Sequence, residues 1–272
     1  MAQTVSPLIS ERPVRIIQIT DLHLCRDPEA TLDWGPAGPA VRPQQTLTQV
    51  LDEIAYGEPW VDLALATGDL AQEPSPEVYA RLGRILADTG YPVHCLAGNH
   101  DDAQLLYPAL ERESGGSRVA VLGDWLVILL DSSRPGTDAG QLCREELNLL
   151  EETLLRHPAR HVLVALHHNP VPTGSAWLDP IGLLNPEDLF EVLDAHDRVR
   201  GVLFGHIHQD FVQRRRDVLL LGSPSTCVQF APDCEDFQID ERPPAYRWLE
   251  LYRDGRIQTG VNYTVEEIRR RA

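Results

Sequence analysis

Short apolar runs rich in β-branched residues recur along the chain, with longer amphipathic stretches between them. The runs cover 14–20, 61–67, 93–97, 119–122, 125–131, 161–166, 199–204, 218–221 and 246–252, and most are short enough to be strands. Helix-like periodicity fills 46–55, 76–89, 142–156 and 186–195. Two of these stretches open on a cap-type residue followed by proline, Ser75-Pro76-Glu77 and Asn185-Pro186-Glu187, which marks a helix start. Strands alternating with helices imply βαβ units and a largely parallel sheet in the first half. The 119–131 region, split by Gly123-Asp124, reads as a hairpin, and the later strands lack long helices between them. Two sheets in a mixed α/β architecture follow. No repeat or linker divides the chain, and the proline- and glycine-rich stretch 34–43 is a loop, so one domain over 1–272 is expected, with 1–12 as a flexible extension.

The residues at the ends of the apolar runs change this picture. After 14–20 comes Asp21-Leu22-His23; after 61–67, Gly68-Asp69; after 93–97, Gly98-Asn99-His100-Asp101; after 161–166, His167-His168; after 199–204, Gly205-His206-Ile207-His208. Taken singly, an Asp here is an ordinary helix cap, a glycine a tight turn and a buried histidine a hydrogen-bonded core residue. Those readings do not explain why the same residue types recur at five carboxyl-terminal strand ends, the edge where open α/β sheets gather their ligands. In an extended strand His206 and His208 would leave the same face about 6–7 Å apart.

Asp21, His23, Asp69, Asn99, His167, His206 and His208 form an all-oxygen-and-nitrogen donor set. Seven donors exceed one tetrahedral site and suit two ions sharing a carboxylate. Imidazole-rich ligation favours iron, manganese, cobalt or zinc over magnesium or calcium, without choosing among those four.

Composition narrows the function. A formal net charge of −17 makes a nucleic-acid groove or an anionic-membrane patch a poor expectation, and it demands a local positive centre for any anionic substrate. Five cysteines without CxxC spacing argue against a disulfide framework or a thiolate zinc site. The first residues show neither a basic nor an apolar leader region, and no apolar run has membrane-spanning length, so the expected location is cytoplasmic. The clusters 214–216 and 269–271, three arginines each, read as a solvated turn and tail.

The five blocks, in this order and at these intervals, resemble the calcineurin-like metallophosphoesterases. The stretches Ile19-Thr20-Asp21-Leu22-His23-Leu24, Ala66-Thr67-Gly68-Asp69-Leu70-Ala71-Gln72, Leu129-Leu130-Asp131-Ser132, Ser175-Ala176-Trp177-Leu178-Asp179 and Pro224-Ser225-Thr226-Cys227-Val228-Gln229-Phe230 extend the resemblance to the bacterial class III 3′,5′-cyclic AMP phosphodiesterases. The resemblance implies a four-layer αββα sandwich of two mixed sheets flanked by helices. It implies two transition-metal ions, divalent or trivalent, with iron and manganese first and zinc or cobalt as alternatives. One ion would be held by Asp21, His23, Asp69 and His208, the other by Asp69, Asn99, His167 and His206, with Asp69 bridging.

His167 is chosen as the ligand over His168 because adjacent strand residues face opposite ways. A metal-activated hydroxide would then attack cyclic AMP to give 5′-AMP, with His100 as general acid or phosphate donor and His23, Asp69, Asn99, His100 and His208 around the bound substrate. Trp177, in the loop 170–184, either roofs the site and stacks on the base or anchors its loop. Arg134 is a phosphate ligand or a turn residue, and Cys227 and Phe230 pack near the site. Rival functions are cleavage of 2′,3′-cyclic nucleotides or glycerophosphodiesters, and a non-catalytic scaffold. Oligomeric state, monomer or homodimer, stays open.

Overall fold

A computed structural model describes residues 12–35, 38–113 and 117–265. The N-terminal extension expected over 1–12 falls outside them except for Arg12, and the arginine cluster 269–271 falls outside them entirely. In chain order the strands are β1 (Val14–Ile19), β2 (Leu32–Asp33), β3 (Ala40–Val41), β4 (Leu63–Thr67), β5 (Val93–Leu96), β6 (Val119–Leu122), β7 (Trp125–Leu129), β8 (His161–Leu166) and β9 (Val199–Phe204). They continue as β10 (Phe211–Arg215), β11 (Val218–Gly222), β12 (Gln229–Phe230), β13 (Ile239–Asp240), β14 (Ala245–Leu251) and β15 (Ile257–Tyr263). The helices are α1 (Pro43–Gly57), α2 (Pro76–Ala87), α3 (Ala103–Glu113), α4 (Arg144–Arg156) and α5 (Pro186–Asp194).

One sheet has the order β15-β14-β1-β4-β5 and the other β10-β11-β9-β8-β7-β6. In the first, β1, β4 and β5 are parallel; in the second, β11, β9, β8 and β7 are parallel and the edge strands β6 and β10 run against them. Strand alternation sends successive side chains to opposite faces, and the core divides accordingly. Ile17 and Ile19 of β1 pack outward with Leu47 of α1, Leu82 of α2 and Leu106 of α3. Ile16 points inward and meets Val127, Leu163 and Leu203 of the other sheet. The outer face of the second sheet, through Ile128, Val164 and Val202, buries Leu150 of α4 and Leu189 of α5. Helices, sheet, sheet, helices is the expected four-layer sandwich.

The predicted hairpin is present, with Leu122 paired to Trp125 across a two-residue turn. Ser75 caps α2, its hydroxyl accepting from the Val78 N–H at 3.3 Å. Asn185 does not cap α5: its side-chain oxygen accepts from the Leu142 N–H at 3.0 Å and ties α5 to the start of α4. The arginines 214–216 are not a solvated turn as a whole, because Arg214 and Arg215 complete β10 and Arg215 and Arg216 pair with Asp194. Among the described residues no helix is long and apolar enough to cross a membrane.

Candidate metal centre

Parallel strands end at a common edge, and β1, β4 and β5 of one sheet meet β8 and β9 of the other there. Asp21 and His23 leave β1, Asp69 leaves β4, Asn99 and His100 leave β5, His167 leaves β8, and His206 and His208 leave β9. The structure brings all of these residues together. Asp21, His23, Asp69, His167, His206 and His208 are buried, while Asn99 and His100 are half-buried.

Convergence is not achieved by strand geometry. Strand β9 ends at Phe204, and His206 and His208 have φ of 67° and 50°, so extended i, i+2 spacing does not place them. Asp21, His23 and Asp69 share this left-handed conformation, with φ of 55°, 50° and 50°. Non-glycine residues hold it at about 1–2 kcal/mol each and persist there when neighbours over-determine them. Here those neighbours are backbone bonds: Asp21 N–H to Gly68 O (3.0 Å), His23 N–H to Asp69 O (2.9 Å) and Gly205 N–H to His167 O (3.0 Å). The His206 N–H donates to both Asp21 carboxylate oxygens at 3.2 and 3.1 Å. Gly205 has to lack a side chain, since a Cβ there would collide with the Thr20 hydroxyl and the Asp21 carboxylate.

Hydrogen bonding fixes how the histidines present themselves. Nδ1 of His23 faces the Gln72 side-chain oxygen at 2.8 Å, Nδ1 of His167 the Thr67 carbonyl at 2.8 Å, and Nδ1 of His208 the Val228 carbonyl at 2.7 Å. An oxygen of this kind only accepts, so each Nδ1 carries the proton and each Nε2 turns inward. The Nε2 atoms of His23 and His208 stand 3.4 Å apart, and Nε2 of His208 is 3.3 Å from Asp21 Oδ1. Nε2 of His167 lies 3.3 Å from Asp69 Oδ1 and 3.1 Å from Asn99 Oδ1. Nε2 of His206 is buried with no partner among the described residues. Acceptors crowded this closely, with an orphaned imidazole nitrogen beside them, suit cations.

Ligand-type atoms lie within 4.8 Å of one another in four overlapping groups: Asp21, His23 and His208; Asp21, Asp69 and His167; His23, Asp69 and His100; and His167, His168 and His206. Asp69 reaches toward His23 with one oxygen and toward His167 with the other.

The electrostatics agree. Burial would raise the Asp21 and Asp69 carboxyls, but His208 and His167 hold Asp21 below its ordinary value and His167, with His100 and His23, holds Asp69 well below. Burial lowers His23 to about 4 and leaves His206 well below its usual value, so both are neutral with free lone pairs. His167 resists its burial because Asp69 and Asp21 push it up to about 9. In the metal-free protein its proton faces both carboxylates.

His168 is closer to the cluster than strand alternation suggests, its ring centroid 4.9 Å from that of His167 and 4.8 Å from that of His206. Its nitrogens are engaged elsewhere. Nε2 donates to the Asp138 carbonyl at 3.1 Å, so Nδ1 accepts from the Ser132 hydroxyl at 2.8 Å. With no free lone pair it supports its neighbours by packing.

Several supports were not foreseen. Asp101 accepts from the N–H groups of Gly98 (2.9 Å), Leu70 (3.0 Å) and Ala71 (3.0 Å), and from the Tyr79 hydroxyl (3.0 Å), joining the loops that carry Asp69 and Asn99. Phe230 is buried against His208, Cys227 is buried beside it, Trp177 touches Phe230 rather than a histidine, and Arg134 is exposed on its turn. Gln72 and the Thr67 and Val228 carbonyls carry no chemical signal in a sequence. Trp34, edge-on to His23 at 5.1 Å, sits in a segment that reads only as a loop.

A family model described as calcineurin-like phosphoesterase matches residues 14–210. The chain belongs to that family. Among relatives of this phosphoesterase, the 3′,5′-cyclic adenosine monophosphate phosphodiesterase CpdA of Pseudomonas aeruginosa is 41% identical over 253 residues, 93% of this chain and 91% of the relative. The CpdA of Escherichia coli K12 is 39% identical over 259 residues, 94% and 92% of the two chains. Among solved structures, a dimetal phosphatase from Danio rerio superimposes with a TM-score of 0.64 at 16% identity, covering 94% of this phosphoesterase and 98% of that chain. That likeness concerns the fold.

Proposed function

We propose that this chain is a dinuclear-metal phosphodiesterase that hydrolyses 3′,5′-cyclic AMP to 5′-AMP and so limits a cyclic-nucleotide signal. The observation that carries this reading is the placement of Asp69 between His23 and His167, 3.9 Å from one Nε2 and 3.3 Å from the other, inside a buried cluster of inward-facing acceptors. Relatives named as cyclic AMP phosphodiesterases over more than nine-tenths of the chain supply the substrate.

Asp21, His23, Asp69 and His208 would hold one ion, and Asp69, Asn99, His167 and His206 the other, with iron or manganese preferred. When bound, the pair supplies Lewis-acid charge for the phosphoryl oxygens and a lowered water pKa. The chain's own residues do the rest. The Nδ1 bonds of His23, His167 and His208 hold the rings in one orientation, so little reorganisation accompanies the reaction. His100 stands beside the cluster, its N–H pinned to Asp69 Oδ1 at 2.9 Å and its ring edge-on to His23 at 5.0 Å. From there it holds a proton for the ribose 3′ oxygen as the P–O3′ bond breaks, or donates to the phosphate. A single catalytic unit across both sheets accounts for ligands drawn from each. A cytoplasmic location fits the five free cysteines.

The test joins metal analysis to a substrate comparison on one preparation. About two ions per chain are expected, with release of 5′-AMP that stops on chelation and returns on adding manganese or iron. Failure to retain metal would overturn the reading. So would faster cleavage of 2′,3′-cyclic AMP or a glycerophosphodiester than of 3′,5′-cyclic AMP.

A further inference from the structure

The metal cluster is bordered by an aromatic belt that its chemistry does not require. Phe230 lies flat on His208, with ring centroids 3.9 Å apart and planes 7° from parallel. Trp34 stands edge-on to His23 (5.1 Å), to His208 (6.0 Å) and to Phe230 (6.0 Å). Trp177 and Phe237 each meet Phe230 at 5.3 Å and each other at 5.1 Å. The belt therefore starts in ring contact with two of the candidate metal-binding histidines and runs outward. Phe230 is only 7% exposed, Trp34 and Trp177 are half-buried, and Phe237 is 42% exposed.

A core satellite would bury its largest rings, whereas this one leaves them partly open beside the cluster. Its members also come from separated segments: the β2–β3 loop, the 170–184 loop and the β12–β13 ribbon. None of the four rings carries charge. The group they suit is a planar uncharged heterocycle tethered to an anion: the histidine cluster would take the anion, and the flat ring would meet Trp34, which adjoins His23, and Phe237, which lies beyond Phe230.

We propose that Trp34 and Phe237 form the platform for the purine base and set the preference of this site for nucleoside cyclic phosphates over base-free phosphodiesters. The inference rests on the hydrolase reading above and adds the element that reads the base. Trp177, in edge contact with Phe237 at 5.1 Å, acts as a positioning residue for it, and Phe230 couples the belt to His208.

The experiment compares kcat/KM for 3′,5′-cyclic AMP with that for base-free ribose 3′,5′-cyclic phosphate, in metal-analysed wild type, Trp34→Ala, Trp34→Phe and Phe237→Ala. Loss of one base-stacking ring is worth about a 5- to 150-fold loss of affinity. The ratio of the two substrates should fall about 10-fold or more in Trp34→Ala, chiefly through KM for cyclic AMP. Trp34→Phe should recover part of it, and Phe237→Ala, which touches no histidine, should lower it in the same direction. A merely structural ring would slow both substrates equally and leave the ratio unmoved, which overturns the platform while the hydrolase stands. Wild type that binds two metals yet leaves cyclic AMP intact overturns the hydrolase reading and the platform with it.

Discussion

The Phe230 ring stacks on the His208 imidazole, 3.9 Å between centroids and 7° from parallel, while the Val228 carbonyl takes the His208 Nδ1 proton at 2.7 Å. Both contacts come from one short segment at β12, so one aromatic and one carbonyl fix the plane and the tautomer of an inward-facing imidazole. Phe230→Ala keeps the tautomer and releases the plane. Truncating a buried phenylalanine costs about 3 kcal/mol of stability, and loss of an outer support typically weakens metal binding about 10- to 100-fold. The expected result is a folded protein of lower melting temperature whose activity recovers when metal is added in excess. Metal titration by calorimetry, compared with wild type, checks it.

Asp101 accepts four hydrogen bonds and serves as the strut between the loops carrying Asp69 and Asn99. Burial, followed by the nearby Asp69 charge, pushes its carboxyl up to about 6. Asp101→Asn turns one acceptor into an amide donor facing backbone N–H groups, at a cost of about 3 kcal/mol. Tyr79→Phe removes one of the four donors to Asp101 together with the acceptor of the Asp102 N–H (2.9 Å), and should cost about 2 kcal/mol. Thermal melts of the two variants should keep this order, and only Asp101→Asn should also lower the metal content after gel filtration.

How far the sequence anticipates this site depends on which physics places each group. The ends of β1, β4, β5, β8 and β9 are legible because an apolar run gives way to Asp, Asn or His in each case, directly or after one glycine. Helix α3 is not, since Pro108 interrupts its pattern and the segment follows directly on Asn99-His100-Asp101-Asp102. The left-handed turns at Asp21, His23, Asp69, His206 and His208 leave no trace either, because this conformation normally announces itself through glycine. Strand alternation favours His167 over His168 as a ligand, yet it hides that the two rings stand edge to face with centroids 4.9 Å apart. Long-range supports such as Gln72 to His23, or Trp34 over His23, belong to the folded arrangement and to no local pattern.

His100 lies close enough to His23 and Asp69 to share a ligand-type group with them, so acid and ligand roles have to be separated. Its ring is half-buried, and its place is set through its backbone N–H on Asp69. His100→Ala should retain about two ions per chain and lose about 10²- to 10⁴-fold in kcat, the range for removing one proton-transferring group. A diester with a leaving group that needs no proton should lose much less. Turnover of cyclic AMP at the wild-type rate in a metal-replete variant would exclude the acid role, and loss of one ion would make His100 a ligand instead.

In the metal-free protein, stability should depend on pH through His167. His167 is buried, yet Asp69 and Asp21 raise it from 6.5 to about 9. A histidine with a raised folded-state pKa contributes stability that is fully present below its unfolded value and is lost as pH rises through its folded value. Between pH 6.5 and about 9 the metal-free protein should therefore lose on the order of 3 kcal/mol. His23, His168 and His206 are all lowered and neutral in the folded protein across this window; their unfolded forms finish losing protons just above pH 6.5, which offsets part of the loss. With His167 as one of the proposed ligands, metal loading should displace its proton, so affinity should rise with pH and binding at pH 7.5 should release about one proton. Melting curves of chelated and loaded protein from pH 6.5 to 9 check the first point, and titration calorimetry in buffers of different ionisation enthalpy checks the second. A chelated protein whose melting temperature is flat across the window would show that His167 is neutral there and that the two carboxylates are balanced by some other charge.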